Sequence, residues 1–477
     1  MSRKVCAAAA ATVLALLCAW SVSAEEITVT GQDQQAVNVT IYTNNLALVK
    51  DRRTVSLDQG RQNLAFREVS AQIKPETARL YGPGVEVLEQ NFEYDLLSPE
   101  SLLRKYVGRE VTLMRRNTAT GAEQPVPATV LSAGGGMVLR VDGRIEPVPE
   151  GRLVYPDVPR NLRDLPTLTM LVENQDAGAK TVELSYLTEG LSWHADYVAE
   201  LNPGDDRLAL QGWVTLSNES GARYPEAALQ LVAGDVHRVG PQRPAMLKRE
   251  IREMAVYAAE GRKMVEESMF EYHLYSLERP TSIEDNQSKQ VRLLQAEAVP
   301  CRKELLLEGR SGCYRSSCGV IGKNRKAGVF VELDNTREGG LGLPLPAGVV
   351  RMYKQDSRGG LQFVGEDRIR HTAEQETVRL FLGEAFDVTA DTVQTAFNKK
   401  KQPDGEGFVY VSAYEVELRN AKAEPVTVRV RESFPAGWEI LESSLPHHQE
   451  NAQTVSWLVS VPARQNLTLT YQVRVTD

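Results

Sequence analysis

Residues 186–201, YLTEGLSWHADYVAEL, and 212–236, GWVTLSNESGARYPEAALQLVAGDV, decide the fold. From Leu191 to Leu201 the apolar Leu191, Trp193, Ala195, Tyr197, Ala199 and Leu201 alternate with Ser192, His194, Asp196 and Glu200. A period of two is that of a strand with one buried face, so Trp193 and Tyr197 are predicted to point inward and His194 and Asp196 toward water. Only Val198 departs from the pattern. A shorter fragment recurs around this stretch: MLVEN at 170–174, VTLSN at 214–218, VELDN at 331–335 and VELRN at 416–420. Each sets apolar residues on one face and then places an Asn where a turn begins; Asn accepts a left-handed backbone and hydrogen-bonds its own turn. The recurrence predicts repeated β-sandwich units of the immunoglobulin-like kind.

Working outward, the fold class is mainly β: several β-sandwich (immunoglobulin-like) domains, a small SH3-like barrel and a helical insert. Residues 1–24 read as a signal peptide and 25–94 as an N-terminal β domain whose turns fall at Gly31, Asn44-Asn45 and Gly60. In 95–160, Ser98 and Pro99 open one short helix with Leu102, Leu103, Tyr106 and Val107 at helical spacing. Four or five short strands with glycine turns follow, as in a small SH3-like or Sm-like barrel. Residues 161–240 form a β-sandwich. The helical insert, 241–270, carries Leu247, Ile251, Met254, Ala255, Ala258, Val265 and Met269 near helical spacing. Residues 271–400 are a β domain with a cysteine-bearing loop, basic and glycine-rich and therefore read as exposed. After the polar linker NKKKQPDGEG, residues 401–477 complete an immunoglobulin-like module with Trp457 in its core.

The start of the chain combines Arg3 and Lys4, an apolar run from Val5 to Trp20, and small residues at Val22 and Ala24. That is the pattern of an export signal cleaved after Ala24, and the run is shorter than the roughly 20 residues a membrane span needs. Lipid attachment at Cys18 fits poorly because Leu17 precedes it. No later stretch is apolar enough to span a bilayer. The net charge of −8 becomes −10 once Arg3 and Lys4 leave, with Lys and Arg scattered rather than striped. Nucleic acid and anionic membrane surfaces are excluded as partners on that ground. Cys301, Cys313 and Cys318 remain in an oxidising compartment. They offer one disulfide, Cys313–Cys318 or Cys301–Cys313, and one spare thiol, and the bridge is expected to carry little weight for the fold. Without a paired C-x-x-C, a fourth cysteine or a close histidine they do not form a zinc site.

Several motifs taken together resemble a family of secreted bacterial proteins of unknown function related to mucoidy inhibitor A. They are YTNNLALVKDRRTVSL at 42–57, LTEGLSWHADYVAEL at 187–201, LSNESGARYPEAALQLVAGDV at 216–236, FEYHLYSLERPTSIEDNQSKQV at 270–291, GLGLPLPAGVVRMY at 340–353 and ESFPAGWEIL at 432–441. The resemblance implies a bacterial envelope or periplasmic location and a β-rich fold, and it brings no catalytic residues with it. The three cysteines lie outside the family pattern.

No motif carries catalytic specificity, and no catalytic, cofactor-binding or metal-binding residue is assigned. Ser192, His194 and Asp196 share a strand face, but residues two apart on a strand stand about 6.6 Å from one another, which argues against a hydrogen-bonded triad. His194 and Asp196 are kept as a surface candidate. The acids Glu366, Asp367, Glu384 and Asp387 read as solvated corners, and His447-His448 as an exposed linker. The expected function is a secreted envelope protein, periplasmic or released, that binds or scaffolds envelope proteins or a surface polymer without catalysis. The alternative is a hydrolase of an envelope polymer whose acids meet only in three dimensions. Intact-mass measurement of the exported protein should give a chain starting at Glu25; a mass that retains Met1 overturns the leader reading.

Overall fold

The strand Leu191–Leu201 alternates without a break: Leu191, Trp193, Ala195, Tyr197, Ala199 and Leu201 are buried, while Val198 joins His194 on the exposed side. The computed structural model describes residues 26–93, 95–117, 120–134, 136–159, 162–234, 236–237, 264–309, 312–402, 407–435 and 437–476. These are mainly β, in several sheets, with one α-helix among them, Pro99–Lys105. Ser98 caps that helix by accepting from Ser101 N, and Pro99 sits in its first turn, as the sequence predicts. The chain forms two compact units, one of residues 50–186 with those up to 36, the other of 37–49 with 187 onward.

In the first unit Gly60–Arg67 pairs with Ile27–Val29 on one side and Thr167–Asn174 on the other, and the latter continues to Val85–Glu93. Leu64, Phe66, Leu168, Met170 and Val172 fill the buried face. Arg53, only 1% exposed, ties the layers together. Its guanidinium donates to Asp51 and to the carbonyls of Val29 and Arg67, and it lies 5.4 Å from the Phe66 ring. A buried ion pair persists only when its hydrogen bonds are met, and here Gln34 serves a further oxygen of Asp51.

The small sheet of the same unit runs in the order Arg144–Glu146, Val138–Val141, Glu123–Ser132, Glu110–Arg116, Arg152–Val154. Tyr106, Val111, Leu113, Val130, Leu139 and Val141 pack beneath it. The expected small SH3-like barrel is not closed: the five strands form an open sheet. The two end strands are three residues each and are joined through Pro147 and Pro149, which have no N–H to give a ladder.

In the second unit a long sheet runs Leu361–Ile369, Gly348–Gln355, Leu191–Leu201, Arg207–Asn218, Gln287–Glu308, Val320–Asp334, Thr377–Lys401, Phe408–Asn420, Gln465–Thr476, Trp438–Ser443. Val426–Ser433 pairs with Thr454–Val461 and with the end of Gln287–Glu308. The terminal core gathers Trp457, stacked at 4.6 Å on Tyr471, together with Leu305, Leu307, Val388 and Ala390. It therefore draws strands from both sides of residue 401. Of the expected polar linker, 398–401 instead extend the strand Thr377–Lys401 and Gln402 N donates to Gly407 O, while 403–406 lie outside the described residues. The end of the expected helical insert is also strand, Val265–Met269, held by pairing with Tyr272–Ser276; residues 238–263 lie outside the described residues.

The recurring Asn residues share one physical role. Asn174, Asn218, Asn335 and Asn420 are each at most 2% exposed, and none has a left-handed backbone. It is the side-chain amide that caps the strand end. Asn218 Nδ2 donates to the carbonyls of Ala222 and Glu284 while its Oδ1 accepts from Ser220 N. Asn420 repeats this with Glu424, Val461 and Pro462 as acceptors and Lys422 N as donor. Asn335 joins Leu343 O, Ala373 O and Gly342 N, and Asn174 joins Asp58 O and Asp176 O. Removing such an amide strands several buried backbone groups at about 1–3 kcal/mol each. Asn420→Ala should cost about 3 kcal/mol in a denaturant melt; a loss near about 0.5 kcal/mol, that of a surface change, contradicts the role.

Candidate binding site

The alternation that buries Trp193 puts His194 and Asp196 on the outer face, where neighbouring strands supply partners. Asp196 Oδ2 lies 3.1 Å from His194 Nε2 and accepts from Thr215 Oγ1 at 2.9 Å; Oδ1 accepts from Arg351 at 2.9 Å. Arg351 also reaches Glu366 at 3.4 Å. The expectation that residues two apart cannot touch fails here, because side chains that start about 6.6 Å apart lean toward each other along the strand. Ser192 stays outside: no hydrogen bond joins it to His194 or Asp196. Partial burial works against the charge of Asp196, but the bonds from Arg351 and Thr215 and the nearby His194 outweigh it and hold the carboxyl below its usual range. A firmly ionised carboxylate capped by an arginine is a cross-strand tie and not a proton donor.

The other sequence candidates are also accounted for. Asp367 accepts from the backbone N–H groups of Phe381 and Arg368, while Glu384 and Asp387 stand exposed on the strand Thr377–Lys401 and not at corners. His447 and His448 are exposed on the strand His447–Asn451, which pairs with Thr454–Val461, so they are not in a linker. Cys313 and Cys318 form the disulfide and Cys301 is a buried free thiol, its pKa pushed up to about 11 by burial and by Asp206 and Asp205. The cysteine-bearing loop is less exposed than its composition suggests, since Tyr314 sits in the core against Tyr410 and Phe434. Among the described residues no group of three or more His, Cys, Asp or Glu side chains is placed to hold a metal. Among them too, no helix is long and apolar enough to cross a membrane.

A further concave feature lies elsewhere, on the small open sheet of the first unit. A cleft of about 790 Å³ runs between Glu110–Arg116 and the segment Ile145–Arg152. Its charged lining is Arg115, Arg116, Arg152, Glu123, Glu146 and Glu150. Arg115 pairs with Glu146, and Arg152 with Glu123 at 2.7 Å; the first pair is half-buried and the second exposed. Hydrogen bonding to Arg152 holds Glu123 below its ordinary range. Exposed pairs bind their partners weakly, so they can be exchanged for charges on a ligand. Ile145 and Val148, 64% and 85% exposed, present bare apolar surface at the rim. Arg144–Glu146 and Arg152–Val154 are the two ends of the sheet, and each has a strand on one side only. Sequence reasoning missed this cleft. Its one signal was IEPVPEG at 145–151, where two prolines interrupt a strand pattern among charges.

Trp193→Ala should cost roughly 3–5 kcal/mol by opening a cavity, and His194→Ala about 0.5 kcal/mol. Denaturant melts of the two variants decide between a one-faced and a two-faced strand; equal losses mean that both faces are buried.

In comparisons with known proteins, no curated protein matches the chain. One family model does match, over residues 182–476, more than half of the sequence, and its description is a domain of unknown function, DUF4139. A match of that extent settles kinship: the chain belongs to the DUF4139 family.

Proposed function

We propose that the protein is exported to the bacterial envelope and acts there by binding, with the open edge of the small sheet as the place where an extended segment of another protein pairs. The observation that carries this reading is the cleft bounded by two unpaired strand ends. An extended backbone supplies the N–H and C=O groups that a free edge lacks, and side chains at every second position then reach the flanking pockets. Each end strand is three residues long, so an edge engages about 10 Å of peptide. Ile145 and Val148 favour an apolar residue in that segment, and the exchangeable pairs Arg115–Glu146 and Arg152–Glu123 favour charged neighbours.

Export rests on the leader pattern, and kinship to mucoidy inhibitor A on the quoted motifs; both belong to this proposal. The immunoglobulin-like reading of the terminal strands belongs here as well, supported by the stacking of Trp457 on Tyr471 between strand pairs. No observation favours the hydrolase alternative. Selection of random ten-residue peptides displayed on phage against the full-length protein tests the site. Enriched peptides should lose at least tenfold in affinity on the double substitution Ile145→Asp, Val148→Asp with the circular dichroism unchanged. The reading is overturned if no peptide is enriched or if binding survives the double substitution.

A further inference from the structure

The strand Val426–Ser433, VTVRVRES, alternates like the others, with Val428 and Val430 buried and Arg429 and Arg431 on the outer side. The period of two carries the next inward position to Glu432, so a carboxyl takes a place that a β core usually gives to an apolar side chain. Arg429 and Arg431 meet acids across the sheet, Glu304 and Glu308, whereas Glu432 is 7% exposed and has Tyr471 as its hydrogen-bond partner. Tyr471, on Gln465–Thr476, stacks on both Trp457 and Tyr414, with ring centroids 4.6 and 5.0 Å away. Leu305–Glu308 runs parallel to Val428–Arg431, and the place a Cβ would take at Gly309, one residue further on, is filled by the Glu432 carboxyl. Arg325, on Val320–Asp334, donates to Glu308 O and acts on Glu432 through charge alone.

We propose that Glu432 is a proton switch for the terminal core: protonated, it keeps Val426–Ser433 packed on Gln465–Thr476, and loss of its proton to solvent parts the two strands. A carboxylate without a paired cation is far costlier in an apolar core than the neutral acid, which both donates and accepts a hydrogen bond. With Tyr471 on one side and Gly309 on another, water reaches the carboxyl when the strand that carries it moves away from Gln465–Thr476. Thr454–Val461, bound along its length to Val426–Ser433, goes with it. The motion is a local opening of one strand pair and leaves the rest of the long sheet in place.

The charged and titratable groups that face Glu432 come from four other strands: Glu308, Arg325, Tyr414 and Tyr471. Burial pushes the Glu432 carboxyl up to about 7, against the hydrogen bond from Tyr471 and the pull of Arg325, with Glu308 adding to the rise. Burial also pushes Tyr414 up to about 12 and Tyr471 well above its ordinary value, so neither phenol titrates in the same range. Hydrated in the open state, Glu432 releases its proton near the ordinary carboxyl value of 4.5. The packed state therefore binds more protons between about 4.5 and 7. Its stabilisation is full below about pH 4.5 and is lost as pH rises through about 7.

Hydrogen exchange on the full-length protein at pH 5 and pH 8, corrected for intrinsic rates, tests this in peptides spanning 426–433 and 454–461, with 191–201 as the internal reference. Opening of the first two should be at least about tenfold greater at pH 8, while the reference stays level. Glu432→Gln, which keeps the shape and a hydrogen bond but has no proton to lose, should abolish the difference. Tyr471→Phe, which removes the bond that favours the charged form, should move the upper end of the transition to higher pH. Equal opening at the two pH values in the unsubstituted protein overturns the switch, as does a difference that survives Glu432→Gln. A rise that 191–201 shares marks global unfolding and overturns it too.

Discussion

A strand of thirteen residues such as Phe408–Asn420 runs through a packed sheet, so its last peptide groups lie where water cannot reach them. A backbone that turns under cover must find partners for each N–H and C=O, or lose about 1–3 kcal/mol per group. The buried carboxamides of Asn174, Asn218, Asn335 and Asn420 meet that demand at four strand ends. A carboxamide carries both donor and acceptor in one short side chain. In Asn218, Asn335 and Asn420 Oδ1 accepts a backbone N–H while Nδ2 donates to two or more carbonyls, whereas Asn174 uses Nδ2 alone; an ionised aspartate could not donate at all. The near-identical bonding of Asn218 and Asn420, to the N–H two residues on and the C=O four residues on, shows the same local solution used twice in one unit.

The strands were legible because burial of one face forces a period of two, which Leu191–Leu201 displays with no ambiguity once Val198 is placed outside. The Asn fragments were legible as a recurrence, and the side-chain hydrogen bond to the turn that follows is present, but the left-handed backbone is not. The pattern of apolar residues gives no account of which carbonyls a distant turn will bring within reach. The same limit explains the small sheet. Four or five strands with glycine turns could be read, but whether its ends meet depends on ladder hydrogen bonds that Pro147 and Pro149 cannot give. Composition misled at the cysteine loop, where glycines and basic residues suggested full exposure while the one aromatic, Tyr314, is drawn into the core.

Polar side chains fall into two kinds of environment. On the outer faces of the long sheet, acids and arginines meet across strands: Glu304 with Arg379 and Arg429, Glu308 with Arg431, and Asp196 with Arg351. Such pairs tie neighbouring strands together. Along the cleft of the small sheet the charges are as numerous, but they line a concave surface beside unpaired backbone and bare Ile145 and Val148. Chemistry of recognition needs groups that gain by exchanging partners, and that condition is met in the cleft.

The family match bears on how these features are to be compared. Residues 182–476 contain Asn218, Asn335 and Asn420, the Trp193 strand and the Glu432 pocket, so the scaffold and its buried polar groups fall within the span that defines the family. The cleft residues 114–152 fall before it. Binding at the open sheet is therefore argued from this chain alone and takes nothing from kinship.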